Sequence, residues 1–383
     1  MPPARRPSSA LPTTTPAVGT ARRTEGERGA PAKPLSGPSA FAPPTYTLNA
    51  AGPGGIDKLL NTEWLLTNGL GGFAMGTCAG VPARRYHALL IGAANPPVGR
   101  IAALSAMVES VVVGANTPQE LSTFRFCAHP PLLHPNGTSR LRSFTQDLTA
   151  RWTYEVRDAS GGVALEVVKE LHLLDRVNAV QLRYTVRRLS GDQQLAAKVR
   201  LRPLTGLRDF HALIRRSWAD RFSVVASSQG ARVAFDGQPT QLHMLADRAT
   251  FASDAQWWEN FFYQSDSERG QDCVEDLFSP GVFTLELPAG EASAQCIIQA
   301  SIAPLAMIDG QRDLLTRRER LAKMHAAALA GRSPALADNA AISALVGASD
   351  AFVVARRSPG TGQLDQTSII AGYPWFADWG RDT

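Results

Sequence analysis

The stretch Val177-Asn-Ala-Val-Gln-Leu-Arg-Tyr-Thr-Val186 alternates apolar and polar residues. Because successive side chains of a β-strand point to opposite faces, this alternation is typical of a half-buried strand. Similar short runs recur along the chain, separated by turn signals such as Ser160-Gly-Gly and Asp236-Gly-Gln-Pro. The further candidate strands are Trp152–Val156, Lys198–Leu204, Phe222–Ala226, Val282–Leu287 and Ala294–Ile302. So many strands with few helical intervals predict a mainly β protein built on a large antiparallel β-sandwich.

The two ends of the chain follow other patterns. Residues 1–45 are rich in Pro, Ala, Ser, Thr and Arg, so we expect a disordered tail that lacks the apolar surface needed to fold. After Pro304, apolar residues recur at helical intervals, which predicts a linker helix over Asp309–Leu329 and a second helix from Ala335 to about Val354. The predicted division is therefore 1–45 tail, 46–303 sandwich, 304–333 linker helix and 334–383 start of a helical domain.

Composition excludes several classes of protein. The net charge of +5 lies mostly in the tail, where residues 1–44 hold six Lys and Arg against two Glu, so the rest carries only about +1. This balance argues against nucleic acid as a partner. No apolar run reaches the roughly 20 residues that a membrane helix needs. The four widely spaced cysteines predict reduced, mostly buried thiols in a cytoplasmic protein, and they offer no metal-ligand spacing.

Two glycine- and arginine-containing runs follow each other early in the chain. Gly69-Leu-Gly-Gly could suggest a phosphate-binding loop, but no Lys-Ser/Thr follows it and no Rossmann pattern surrounds it. Arg84, Arg85, Tyr86 and His87 offer hydrogen-bond donors and an aromatic ring that suit sugar hydroxyls. The same arginines could instead form a fork that braces a neighbouring loop or domain. Both interpretations of this run stay open.

The last residues carry the strongest chemical signal, Pro374-Trp-Phe-Ala-Asp-Trp-Gly-Arg-Asp-Thr383. Glycoside hydrolysis needs one carboxyl group to protonate the leaving oxygen and a carboxylate to activate water or to attack. Asp378 and Asp382 are four residues apart, so on a helix or turn they share a face. Arg381 between them can hold one of them ionised or orient a sugar hydroxyl. The alternative is a structural Asp–Arg brace at the start of a helix.

The motifs together resemble those of bacterial and archaeal glycogen debranching enzymes. Glu63-Trp-Leu-Leu-Thr-Asn-Gly-Leu-Gly-Gly-Phe-Ala and Arg84-Arg-Tyr-His match the start of that family's N-terminal domain, with mild departures at Phe73, Ala83 and Ala88. Two later segments also resemble the family, Leu201–His211 and Trp257–Gly281. The aromatic residues of the second segment, Trp257, Trp258 and Tyr263, fit either stacking on sugar rings or packing in the core.

The resemblance implies an amylo-α-1,6-glucosidase that acts on branched α-glucans such as glycogen or limit dextrin, without metal or organic cofactor. It implies a supersandwich-like β-sandwich, then linker helices and the first elements of an (α/α)6 barrel that the sequence cuts off. In this interpretation Asp382 is the candidate general acid and Asp378 a further catalytic candidate, while Trp375, Trp379 and Arg381 line the glucose subsite. The catalytic base is expected beyond Thr383, and the fragment alone is expected to be inactive.

Two other functions remain open at this point. One is a non-catalytic glucan-binding module that uses the sandwich alone. The other is a glucoamylase-like inverting exo-glucosidase with the same plan of sandwich and barrel. The run from Trp379 to Asp382 favours an enzyme over a module, and the motif from Glu63 to His87 favours debranching. Transferase activity, branch-length preference and oligomeric state are not indicated by the sequence.

Overall fold

The alternating run around Tyr184 forms a long strand in a computed structural model of the chain, which describes residues 43–158, 161–189, 195–331, 339–358 and 360–378. The predicted tail lies almost wholly outside these described residues, as does the start of the second predicted helix. Each strand expected from alternation is present, and several extend further than their patterns indicated. The prediction of a mainly β, antiparallel fold is confirmed.

The strands of the described ranges are numbered here in chain order: β1 Tyr46–Asn49, β2 Glu63–Thr67, β3 Phe73–Thr77, β4 Ala88–Asn95, β5 Val98–Leu104, β6 Ala106–Val113, β7 Gln119–Glu120, β8 Phe124–Phe126, β9 Leu132–His134, β10 Leu141–Gln146, β11 Ala150–Arg157, β12 Val163–Leu173, β13 Ala179–Arg188, β14 Ala197–Leu204, β15 Arg208–Asp209, β16 Phe222–Ser227, β17 Gly230–Phe235, β18 Leu242–Ala246, β19 Thr250–Phe262, β20 Val274–Leu287, β21 Ser293–Ser301, β22 Val353–Arg356 and β23 Gln366–Ile369. The α-helices are α1 Gly55–Asn61, α2 Gln264–Ser267, α3 Gly310–Leu329 and α4 Ala340–Phe352, and short 3-10 helices span Gly137–Arg140 and Arg216–Arg221.

Within the described residues the strands form three large sheets and one small one. The nine-stranded sheet has the order β1-β10-β11-β12-β13-β21-β18-β17-β16, and the seven-stranded sheet has the order β7-β6-β14-β20-β19-β8-β9. The five-stranded sheet has the order β15-β5-β4-β3-β2, and β22 pairs with β23 alone. Neighbouring strands are antiparallel, as in β13 with β21 and β14 with β20.

The core lies between the inner faces of the large sheets. Along β11 the buried residues are every second one, including Trp152, Tyr154 and Val156, which face inward from the nine-stranded sheet. Leu201 of β14 and Phe283 of β20 face the same core from the seven-stranded sheet. A second, smaller cluster covers the other side of the five-stranded sheet around Phe73, Tyr86 and Phe210. The alternation in the sequence is therefore the alternation between core and exterior.

A buried ion pair crosses the main core. The Lys169 ammonium contacts Glu109 Oε1 at 2.5 Å, and the hydroxyl of Tyr184 donates to the same oxygen at 2.9 Å. Ser122 donates to the other carboxylate oxygen of Glu109. The ammonium also lies over the ring of Trp152, 5.2 Å from its centre. Each charge is thus paired and hydrogen-bonded, which buried charges require.

Helix α3 starts where the sequence predicted, because the Asp309 side chain caps the backbone N–H groups of Gln311 and Arg312. Helix α4 ends at Phe352, close to the end expected at about Val354. There Val353 and its neighbours leave the helix and pair with β23. β-branched residues favour strands, and a pairing partner makes this preference decisive.

The cysteines and the membrane prediction can be compared with the structure directly. All four cysteines are unbonded, and Cys78 and Cys296 are buried, whereas Cys273 is half-buried and Cys127 exposed. The expectation of mostly buried thiols was therefore wrong for two of them. Among the described residues, none of the helices has the length and apolar content that crossing a bilayer requires.

Candidate active site

The motif Arg84–His87 lies just before β4, beside the first residue of β2. Arg84 Nε donates to Glu63 Oε1 at 2.6 Å, and His87 Nε2 lies 3.1 Å from the same oxygen. The backbone N–H of Ala83 donates to His87 Nδ1 at 3.0 Å, so the ring proton sits on Nε2 and points to Glu63. The His87 side chain is 1% exposed, which makes it a support for Glu63 rather than a ligand contact.

The electrostatics of this group follow from its burial. Burial alone raises the pKa of Glu63, but the hydrogen bonds and charges of His87 and Arg84 outweigh it and lower that pKa to about 2. Burial lowers the pKa of His87, against the opposing effect of Glu63. The result is a carboxylate fixed between a permanent cation and an imidazole N–H donor.

Arg85 does not contact Glu63 and instead holds two other segments of the chain. Its Nη1 donates to the carbonyl of His211 at 2.8 Å, and its Nη2 donates to the carbonyl of Asp272. The backbone N–H of Arg85 donates to Asp266 Oδ2 at 2.7 Å. This is the bracing fork that the sequence left as one of two interpretations, and it ties together three of the motifs that resemble debranching enzymes.

A fully buried cluster supports that brace from below. Arg208 forms a two-pronged pair with Glu275, and its Nη2 also donates to the carbonyl of Arg85 at 2.8 Å. The hydroxyl of Tyr263 donates to Glu275 as well. Tyr263 is therefore a core residue. Trp257 packs against the main core beside Phe222, Trp258 packs against the smaller cluster around Phe124, and both rings are half-buried.

The C-terminal motif packs onto this same region through Trp375. The guanidinium groups of Arg84 and Arg269 lie over its ring, 5.5 and 4.9 Å from the centre. The ring of Tyr86 meets Trp375 edge-on at 6.2 Å between centres, and the Tyr86 hydroxyl lies 3.0 Å from His211 Nδ1. The structure thus brings together Arg84, Tyr86 and Trp375, which the sequence had named from opposite ends of the chain.

Arg100 of β5 holds the backbone of the same segment, and the sequence did not single it out. Its Nη1 donates to the carbonyls of Pro374, at 3.2 Å, and Phe376, at 2.9 Å. Its guanidinium is 5.2 Å from the ring centre of Tyr373 and near the rings of Phe73 and Phe210. The residue is 2% exposed, and in the described part of the chain it has no carboxylate partner. An arginine at the edge of an apolar run carries no signal that reveals such a role.

Asp378 sits in a separate set of contacts. Its carboxylate pairs with Arg356 of β22 and accepts a hydrogen bond from the Ser368 hydroxyl of β23 at 2.9 Å. Its side chain is 4% exposed. The structure does not bring Asp378 into contact with Arg84 or Tyr86. Trp379, Arg381 and Asp382 lie outside the described residues. Across the residues that are described, no cluster of three or more His, Cys, Asp or Glu has metal-binding geometry.

The antiparallel β-sandwich and its arginine- and tryptophan-lined site can be assigned to a class of protein by comparison with known families. The family model for the glycogen debranching enzyme N terminal matches residues 62–294, more than half of the chain. The chain belongs to that family. A second model, amylo-alpha-1,6-glucosidase, matches residues 347–383, the segment that holds Trp375 and Asp378. No curated protein matches the sequence.

Several solved structures are distantly similar to the chain. A bacterial glucoamylase complexed with acarbose shares 8% identity at a TM-score of 0.28, covering 69% of this chain and 33% of its own. A putative kojibiose phosphorylase from human microbiome shares 8% identity at 0.33, covering 82% and 39%. A putative aldose 1-epimerase from Escherichia coli K12 shares 12% identity at 0.32, covering 64% and 99%. The chain thus spans only 33% and 39% of the length of the first two.

Proposed function

We propose that this chain is the N-terminal part of a cytoplasmic debranching enzyme that hydrolyses α-1,6-glucosidic branch points of glycogen or a related α-glucan. The observation that carries the proposal is the contact of Trp375 with Arg84 and Tyr86. It joins the segment that matches amylo-alpha-1,6-glucosidase to the segment that matches the debranching N-terminal family. The β-sandwich in this proposal is one wall of the substrate site.

The proposed chemistry assigns different roles to the two aspartates. Asp382 gives its proton to the branch-point oxygen as the bond from that oxygen to the anomeric carbon breaks. A second carboxylate activates the water that adds to this carbon from the opposite face. In inverting enzymes the two carboxyl groups lie about 6.5–9.5 Å apart, which leaves room for that water. Asp378 is held by Arg356 and Ser368, which suits a residue that positions the segment and the sugar. Trp375, Trp379 and Arg381 complete the glucose subsite.

On this proposal the 383-residue chain does not hydrolyse glycogen by itself, because the second carboxylate belongs to sequence beyond Thr383. The test is glucose release from limit dextrin, measured for this chain and for the product of the complete reading frame. We expect release only from the longer protein, with linear maltooligosaccharides hydrolysed poorly. Fast release from linear chains would favour the exo-glucosidase instead. Release by the 383-residue chain would contradict the assignment of the base.

A further inference from the structure

A second candidate ligand site lies on the outer face of the seven-stranded sheet, and none of the described residues of the candidate active site lines it. A groove of about 340 Å³ crosses this face. Glu120 of β7 and His134 of β9 both line it, although these strands are the two edges of the sheet. The face must therefore be concave. Concave sites of a few hundred Å³ are the usual shape of small-molecule pockets.

The floor of the groove offers an aromatic platform. Trp258 is half-buried, and the inner part of its ring packs edge-on against Phe124 at 6.1 Å between centres. Val108 and Val282 lie beside it in the groove. An indole held in place from behind and open in front can stack on the C–H face of a sugar ring, and its fixed position lowers the entropy lost on binding.

The walls of the groove offer polar groups that the protein itself does not occupy. Among the residues the structure describes, the side chains of Arg200, Glu120, His134 and Ser110 have no hydrogen-bond or ion-pair partner, whereas neighbouring Arg202 is occupied by Asp254. Arg200 and Ser110 are directly paired positions of adjacent strands. Burial raises the pKa of Glu120, although the charges of Arg140, His134 and Arg200 oppose this. The groove thus presents hydrogen-bond donors, such as Arg200, next to acceptors, such as Glu120.

The charge of the groove selects among ligand classes. The free Arg200 cation is balanced by the Glu120 carboxylate, and Arg202 is balanced by Asp254. A phosphate or nucleic-acid site would have an excess of positive charge. Mixed donors and acceptors around one aromatic ring instead match a neutral ligand whose hydroxyls both donate and accept.

We propose that this concave face binds an α-glucan chain at a site separate from the candidate active site, with Trp258 stacking on a sugar ring and Arg200 and Glu120 binding hydroxyls. The choice of α-glucan as the sugar rests on the proposed function. Such a site keeps a large branched substrate on the protein while the active site works on one branch.

The experiment measures the mobility of the 383-residue chain in native gels with and without glycogen, and its affinity for maltoheptaose by calorimetry. Trp258→Ala and Arg200→Ala are expected to weaken binding about tenfold or more, as removal of a central contact does. Lys198→Ala is the matched control for Arg200→Ala, because Lys198 lies two residues earlier on the same face of β14 and pairs with Glu286 outside the groove. Trp218→Ala is the control for Trp258→Ala, because Trp218 is also a partly exposed tryptophan but does not line the groove.

Glu120→Gln and Arg200→Ala change side chains that have no hydrogen bond or ion pair among the described residues, so these variants keep the test valid if Trp258→Ala does not fold. Retention of wild-type affinity by Arg200→Ala and Glu120→Gln would contradict the proposal that the groove binds glucan. Absence of glycogen binding by the wild-type chain would contradict it too. Loss of binding in Trp375→Ala alone would also overturn it, while supporting the proposed function. Failure of the proposed function would appear elsewhere, as absence of glucose release from limit dextrin by the full-length protein.

Discussion

The guanidinium group of Arg84 lies over the ring of Trp375, 5.5 Å from its centre, while its Nε atom holds Glu63 at 2.6 Å. One side chain thus fixes a strand of the five-stranded sheet and the aromatic residue of the C-terminal motif. A guanidinium over an indole is a favourable contact that strengthens when it is shielded from water. Any change in the charge of Glu63 therefore reaches the candidate glucose subsite through Arg84.

The first prediction concerns acid. The pKa of Glu63 is lowered to about 2 from 4.5, so its contribution to stability is complete above pH 4.5 and is lost as the pH falls toward 2. Glu63→Gln should lower the free energy of unfolding at neutral pH, and the difference from wild type should shrink between pH 4.5 and about 2. Urea unfolding at several pH values measures this. A difference that stays constant with pH would show that the ion pair is not the cause.

A second prediction concerns the buried pair in the core. Lys169→Met leaves the Glu109 carboxylate without its cation, which should cost about 3–5 kcal/mol of unfolding free energy. Lys198→Met is the control, since its pair with Glu286 is more than half exposed and should contribute about 0–1 kcal/mol. Chemical denaturation of both variants gives the comparison. Equal effects would mean that burial does not distinguish the two pairs.

Gly71 supplies a third test, on the glycine-rich motif. Its φ is +85°, and a Cβ atom there would overlap with the carbonyl of Pro97. Gly71→Ala should therefore destabilise the protein by more than about 1 kcal/mol. Gly347 lies inside α4 with open space around it, so Gly347→Ala should stabilise by about 0.5–1 kcal/mol. Melting temperatures that move in the same direction would contradict this assignment.

The fourth prediction separates the two aspartates in the full-length protein. Asp382→Asn removes the proposed proton donor while keeping the shape, so turnover should fall about 10²–10⁴-fold with glucan affinity preserved. Asp378→Asn weakens the contacts with Arg356 and Ser368, so both affinity and turnover should fall. Steady-state kinetics with glucan-binding measurements distinguish the two. Near-normal turnover of Asp382→Asn would move the acid elsewhere.

Sequence patterns predicted the strands and helices that are marked by a regular spacing of apolar residues. The strand around Tyr184 and the helix that begins after Asp309 were predictable, because alternation and helical spacing involve residues a few positions apart. The contacts of Arg100 with Phe376 and of Lys169 with Glu109 could not be predicted, since they join residues distant in the chain. The same reason hides the groove, because sheet curvature brings its two edge strands together.

The motifs were informative in a different way. They named Arg84, Tyr86 and Trp375 separately, and the structure shows that these three form one contact group. They did not distinguish a side chain that faces a ligand from one that holds a loop. Arg85 and His87 are fully engaged with the protein, and only the folded arrangement reveals it.

The hydrogen bonds from Arg100 to the carbonyls of Pro374 and Phe376 have a consequence for protein engineering. These hydrogen bonds depend on the path of the backbone and not on the identity of the side chains at positions 374 and 376. A chimera that joins this sandwich to a barrel from another protein should therefore keep residues 353–378 with the sandwich. Crossover points inside that range would separate the cation from its acceptors, whereas a homologous replacement of the whole range can vary in sequence if it preserves the path of the chain.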